Sequence, residues 1–505
     1  MTTLLNRATL IAILFSIALV ACRKNDKPAP PEPPKPEPPA PVAIPSVNDS
    51  MYFLFKDQYL WNDVIPDSAT FKPNSYAKTE DMFDALTRFK KQNGKNMDKY
   101  SFLDDGTVAE EIGGISGGFG MNVSYNELND LRVVSVYPGS PAYQQGIRRA
   151  WRIIAINGDA NLTYDGDQVK GPGTTIARIV KAIYQSEQTS LTLQKPDGSS
   201  DTTVTVNAAK FEINPVLYSN ILNLSGRKVG YFVFNQFIDL TKAQPYIDPV
   251  FDNFIAKGIT DLIVDLRYNG GGSAETTEYL ANLIAPVSVG TNGQNLMYKE
   301  HFNAQMTNHQ YSNYLRTRLI PGYTNSWSDL FDLWVAYAST YFSKKKTLNL
   351  ANIAFIGTGQ TASASELLIN VLRPYMGVKL VGDTTYGKPV GFVTGMHIGK
   401  FDMYAISIWA KNKDNYGDYF DGMIPDDAAA VAGKDERFED LSKEWGSTDE
   451  VYLRRALNVL GIPQPALLRS RMAIAGPGSS KLMFRNSIPD MHFKGMVGTR
   501  KKSRY

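Results

Sequence analysis

At 505 residues the chain is too long for one ordinary core, and 43% hydrophobic with 20% charged residues is the composition of a globular protein of about two to four domains. A formal charge of +3, with Lys and Arg scattered along the chain, provides no basic face for nucleic acid. Cys22 is the sole cysteine, which excludes an intrachain disulfide, a cysteine-rich zinc site and a cysteine nucleophile in a folded domain.

Residues 1–22 read as an export signal. Arg7 supplies the positive charge, Ala8 to Val20 is an apolar run too short to span a bilayer stably, and Leu19-Val20-Ala21-Cys22 closes it. Small residues before a cysteine resemble a bacterial lipobox. That resemblance implies lipid on Cys22 and a place in the bacterial cell envelope, on the outer membrane facing the periplasm or the cell surface. Residues 23–45 are rich in Pro, Ala, Glu and Lys, favour extended polyproline II and bury no apolar surface, so they predict a spacer.

Residues 46–109 predict a helical domain. Aromatics are closely spaced from Ser50 to Trp61, and Met82, Phe83, Leu86 and Phe89 form an apolar stripe that ends at Gly94. The stripe reads as core rather than as a cofactor site. Residues 110–208 follow with Gly117-Gly118-Phe119-Gly120-Met121, alternating strand residues, then Pro138-Gly-Ser-Pro-Ala142 and Ile153-Ile-Ala-Ile-Asn-Gly158. This order resembles a PDZ domain. The resemblance implies that Gly118, Phe119 and Gly120 offer backbone N–H groups to a peptide's terminal carboxylate. Ala150-Trp151 departs from the Gly-Asp usual in such domains, which puts the local turn in question.

Residues 209–462 predict an α/β layer. Lys228 to Phe237 is a strand pattern, and Asp261 to Leu266 is an apolar run suited to a strand covered on both faces. It leads through Arg267-Tyr-Asn-Gly-Gly-Gly-Ser273 into a helix containing Leu280 and Leu283. The glycine run matches neither the P-loop nor the dinucleotide fingerprint, so no nucleotide site is predicted. The same strand, loop and helix order recurs from Ile353 to Pro374 around Ser363, and sites at strand ends follow from it. Trp327 to Phe342 reads as helical, Tyr404 to Trp409 as a later strand and Glu450 to Leu460 as a last helix. Residues 463–505 lose periodicity and predict a flexible tail.

Ser363 stands where a strand turns into a helix, whose unpaired first N–H groups and positive dipole end stabilise an oxyanion. Ser363-x-x-Glu366 also reads as a plain capping box. Lys388, 25 positions after Ser363, ends the loop Gly382-Asp-Thr-Thr-Tyr-Gly-Lys. A desolvated lysine loses its proton near neutral pH and can take one from a serine hydroxyl.

Thr361-Ala-Ser-Ala-Ser-Glu366 followed by Tyr386-Gly-Lys388 resembles the C-terminal processing peptidases, the S41-type serine-lysine peptidases related to the tricorn core. Tyr59-Leu-Trp-Asn-Asp63, Asp98-Lys-Tyr-Ser101 and Asp421-Gly-Met-Ile-Pro-Asp426 resemble further parts of that family. The resemblance implies a multidomain α/β fold with an N-terminal helical segment, a PDZ-like β domain and a peptidase core of the tricorn, ClpP and crotonase-like type. It implies Ser363 as nucleophile, Lys388 as base and Glu366 as the group orienting the lysine. The branch that uses glutamine four positions after the lysine finds Phe392 here, and the branch with aspartate eleven after the serine finds Pro374. Oxyanion donors carry over to Gly270 or Gly271 and to Ala364. The implied partner is an exported protein or peptide with a free C-terminus; no cofactor or metal is implied.

Two other classes stand beside this one. A Ser-His hydrolase would draw on His301, His309, His397 or His492, of which His397 is the one to test, but Ser363 lacks the Gly-x-Ser-x-Gly elbow. No His-Glu-x-x-His is present to hold a metal. A tethered, non-catalytic peptide-binding protein would have no need of both Ser363 and Lys388.

Overall fold

The computed structural model describes residues 46–166, 171–291, 293–320, 322–431, 438–462, 464 and 495–497. The signal segment with Cys22 and the spacer 23–45 lie outside the described residues. Among the described residues no helix is long and apolar enough to cross a membrane.

Helices α1 (Val47–Gln58) and α2 (Thr79–Thr87) start the described chain. Ser46 caps α1 by accepting the Asp49 N–H. Their apolar faces, with Phe55, Tyr59, Met82 and Leu86, do not close a core among themselves. They share one with Met306, Phe331 and Trp334 and with Phe392, Met396 and Met403 from far along the chain. The helices expected over 46–109 form one wall of this larger core. Strand β1 (Phe102–Asp104) ties it in by pairing with a hairpin near residue 400.

Residues 121–207 build a five-stranded antiparallel sheet. It contains β2 (Met121–Glu127), β3 (Asp130–Val136), β4 (Arg152–Ile156), β5 (Gln188–Gln194) and β6 (Thr202–Asn207) in that spatial order, with α3 (Thr174–Tyr184) packed on it. Alternate residues of β2 are buried, as a half-covered strand requires. The turn questioned at Ala150 is made: Ala150 takes φ 71° and donates to Val133 O at 2.9 Å, a left-handed conformation that an alanine holds at a cost.

The central sheet runs β7 (Val216–Leu224), β8 (Arg227–Phe234), β9 (Asp261–Asp265), β12 (Asn352–Gly357), β13 (Gly377–Gly382). All neighbours are parallel except the antiparallel edge β7. Every residue of β9 is buried because helices cover both faces. On one face Phe232, Phe234, Leu262, Val264 and Phe355 meet α4 (Leu240–Lys257), α5 (Ala274–Ile284) and α7 (Ala364–Leu372). On the other, Tyr231, Val233, Ile263, Ala354 and Ile356 meet α8 (Val451–Val459). The helix predicted within 327–342 is α6 (Trp327–Ala336), started by a Ser326–Asp329 capping box.

A smaller sheet between these parts holds β11 (Leu296–His301), β14 (Val390–Gly391) and β17 (Ile408–Asn412). Strands β15 (Met396–Ile398) and β16 (Phe401–Tyr404) form the hairpin that pairs with β1. Two short parallel strands, β10 (Gly271–Ser273) and β18 (Gly495–Val497), pair with each other. Strand β18 lies within the tail expected over 463–505, and its residues are buried.

Candidate active site

Strands β9 and β12 are adjacent and parallel, so both following loops leave the same end of the sheet. Four contacts lock the two loops together. Thr361 Oγ1 donates to Leu266 O at 2.7 Å and Ser365 Oγ to Asn269 O at 3.0 Å; Ala362 N donates to Asn269 O at 3.1 Å; Thr358 Oγ1 donates to Arg267 O. Asn269 in turn fixes the glycine run, donating Nδ2 to Phe234 O and accepting the Gly271 N–H, each at 2.9 Å. Only glycine fits at 272: φ is 132°, and a Cβ there would lie 2.0 Å from Phe237 O.

Ser363 is buried at the start of α7 with φ 56° and ψ −109°, strained for a residue with a side chain. This is the sharp strand-to-helix turn of a nucleophile elbow, made without its glycines. Gly-x-Ser-x-Gly is absent, and Asn269 and Glu366 brace the turn instead. Glu366 Oε2 accepts the Ser363 N–H at 2.8 Å, while the Ser363 hydroxyl has no hydrogen-bond partner among the described residues. The glutamate half of the capping box is made, and the serine oxygen is left over.

Glu366 does more than cap. Its carboxylate also accepts the Lys388 N–H at 2.8 Å, the Gly387 N–H at 2.8 Å and the Thr385 hydroxyl at 2.5 Å. It thus holds the lysine loop by its backbone. Complete burial raises its pKa, against the pull of those four donors. The closing segment supports the same loop, with Met423 N donating to Thr385 Oγ1 at 2.7 Å.

The Lys388 side chain enters an aromatic box. Its Nζ lies 4.2 Å from the Phe392 ring centre and 5.5 Å from that of Tyr100, and the residue is 1% exposed. Loss of water pulls its pKa down to about 7, with the negative charges of Asp98 and then Glu366 pulling the other way.

Asp98 was singled out only as part of a resembling tetrapeptide. Its segment is fastened to the lysine loop: Tyr100 donates its hydroxyl to Gly387 O at 2.6 Å and Lys99 Nζ to Tyr386 O at 3.4 Å. Asp98 Oδ1 accepts the N–H groups of Tyr100 and Ser101, and the buried carboxylate also faces the Tyr59 hydroxyl. Burial raises the Asp98 pKa. The legible signal was an Asx-type turn, Asp-x-Tyr-Ser, before a strand.

The other candidates fall elsewhere. His397 is exposed on β15 and pairs with Asp402 at 2.9 Å; it does not share the buried site. His492 lies outside the described residues. Phe119 is buried and its carbonyl accepts the Ala142 N–H, while Gly118 beside it is exposed. Arg149 joins that region to the site loop. It is buried, stacks on Trp445 at 4.0 Å and reaches Glu439 at 2.6 Å, and Glu439 also accepts from Arg267 at 2.8 Å. The two guanidinium groups hold the Glu439 pKa down to about 2, after its own desolvation. Among the described residues no cluster of His, Cys, Asp and Glu is arranged to hold a metal.

The model of peptidase family S41 matches residues 228–426, which span β8 to the closing segment and include Ser363, Glu366 and Lys388. This stretch is an S41 peptidase domain. Over 272 residues the chain is 26% identical to the carboxyl-terminal-processing protease of Picosynechococcus sp., covering 54% of each. Over 186 residues it is 27% identical to the chloroplastic C-terminal processing peptidase of Tetradesmus obliquus, covering 34% of this chain and 38% of the relative. The chain spans about half the length of the curated relatives it matches. A crystal structure of a Bacteroides fragilis protein assigned to the S41 proteases aligns with a TM-score of 0.57 at 21% identity, over 84% of this chain and 99% of that one. The fold shared with that protein therefore extends beyond residues 228–426.

Proposed function

We propose that the chain is a serine-type endopeptidase that cuts exported proteins or peptides with a Ser363–Lys388 dyad. The observation that carries this reading is the pairing of an unbonded, buried Ser363 hydroxyl with a lysine whose pKa burial brings to about 7, on adjacent loops tied to one carboxylate.

Neutral Lys388 takes the hydroxyl proton as Ser363 Oγ attacks the peptide carbonyl carbon. The oxyanion forms at the start of α7, where the Ala364 N–H and the dipole of the helix favour negative charge. Of the two glycines, Gly271 already gives its N–H to Asn269, which favours Gly270 as the second donor. The lysine ammonium then protonates the leaving amine. Water hydrolyses the acyl-enzyme with Lys388 again as base. Glu366 positions Lys388 through its backbone and adds its negative charge in favour of the ammonium.

Substrates enter with a free C-terminus, engaged by the Gly118–Gly120 loop of the PDZ-like region. The protein is anchored in the bacterial envelope through lipid on Cys22. The test is degradation of an unfolded protein with an apolar C-terminus by the chain from Ser46, with Ser363→Ala and Lys388→Ala beside it. Cutting by the parent and loss of at least about 10³-fold in both folded variants supports the dyad. Retained cutting in Lys388→Ala sinks it, and binding without cutting by the parent leaves a peptide-binding protein.

A further inference from the structure

Strand β10 follows the glycine loop directly, so its edge lies beside the oxyanion position. A strand edge of this kind is a ready acceptor for an extended peptide: backbone bonds supply affinity and pockets for side chains supply selectivity. The edge is filled by the chain itself. Gly495–Val497 runs parallel to Gly271–Ser273, with Gly495 opposite Gly271, Met496 opposite Gly272 and Val497 opposite Ser273.

The segment is bonded on both sides. Gly495 N donates to Gly270 O at 3.0 Å, and Met496 O accepts the N–H of Phe392 at 3.0 Å. Phe392 is the same residue whose ring faces the Lys388 ammonium. The segment therefore bridges the glycine loop and the lysine side of the site. A point 2.4 Å from Gly495 O, where a Cβ on Gly271 would sit, is only 3.1 Å from the Ala364 nitrogen, so a peptide carbonyl of this segment stands beside the expected oxyanion donor. Met496 packs into the core formed by the central sheet and its helices, and Val497 into that of the N-terminal helices; both are buried. Gly391 lets Met496 in, since a Cβ there would lie 2.8 Å from Met496 Cε.

We propose that Gly495–Val497 is a built-in occupant of the substrate groove, an autoinhibitory strand that an incoming peptide must displace. The groove accordingly takes an extended peptide with glycine followed by two apolar residues, and substrates of that class compete best. This rests on the peptidase reading for the word substrate, but the occupancy of the groove does not. Because the occupant belongs to the same chain, it competes intramolecularly, and a free peptide meets it at a disadvantage.

The experiment uses a fluorescent peptide of residues 491–499 and its Met496→Asp form. Binding is read by anisotropy on Ser363→Ala chains: the full chain, the full chain with Met496→Asp, and a chain stopped after Gln464. The expected result is binding of the native peptide roughly tenfold or more tighter to the last two than to the first, with the Asp peptide bound by none. Equal binding to all three, no binding to either opened chain, or equal binding of both peptides overturns the proposal. With Ser363 restored, the two opened chains should also cut an unfolded protein about tenfold faster than the parent. If no chain cuts while the binding pattern holds, the peptidase reading fails and the occupied groove stands.

Discussion

Ser363 and Lys388 donate their backbone N–H groups to the same carboxylate oxygen, Glu366 Oε2, each at 2.8 Å. One buried anion thus sets the spacing of the Ser363 and Lys388 loops, and its charge also favours the lysine ammonium. Glutamine at 366 would place an amide donor where the structure supplies donors to an acceptor. We expect Glu366→Gln to lose about 2–4 kcal/mol of stability, and cutting to fall by at least about 100-fold even where the variant is folded. Urea unfolding and turnover on one preparation check both.

Lys388 carries the opposite signature, an ionisable group buried at the expense of stability. Its folded pKa of about 7 lies below the 10.5 of a free lysine side chain. Between those values the unfolded chain binds a proton that the folded chain does not, so stability rises with pH across that window and the full cost is felt below it. Lys388→Met should therefore be inactive yet about 2–4 kcal/mol more stable at pH 7.5, with the gain shrinking toward pH 10.5. Denaturant titrations at several pH values measure it. A variant no more stable than the parent contradicts the burial argument.

Asp98 acts on the same ammonium from a segment more than 250 positions earlier in the chain, together with Glu366. Asparagine keeps the acceptor used by Tyr100 and Ser101 and removes the charge. The acid limb of the rate profile should then move about one pH unit lower, because the ammonium loses a stabilising anion, and the plateau rate should fall with the weaker base. A purely structural aspartate would leave the limb where it was.

Ala150 predicts a change unconnected with catalysis. Its φ of 71° favours glycine, the residue usual at this turn in the resembling domains. Ala150→Gly should raise stability by about 1 kcal/mol with turnover unchanged, read as a higher denaturation midpoint.

The parallel sheet was legible because its signals are local. Asp261 to Leu266 is apolar without alternation, as strands covered on both faces are, and the recurrence of strand, loop and helix put Gly270–Gly271 and Ser363 at strand ends before any geometry was known. The short motifs around Ser363, Glu366 and Lys388 belong to the same class of signal, since backbone turns and caps are made by neighbours in sequence. What the tertiary structure alone decided is whatever depends on groups distant in the chain meeting in a place without water. The role of Glu366 as an acceptor for two loops, the aromatic box of Tyr100 and Phe392, the charge of Asp98 on the lysine and the seating of Gly495–Val497 at the glycine loop are all of this kind. So is the merging of the N-terminal helices with residues 306–334 and 392–408 in one core. Periodicity tells which face of an element is apolar; it does not tell which distant face covers it. Burial, which sets the pKa of Lys388, is a property of that covering and of nothing shorter.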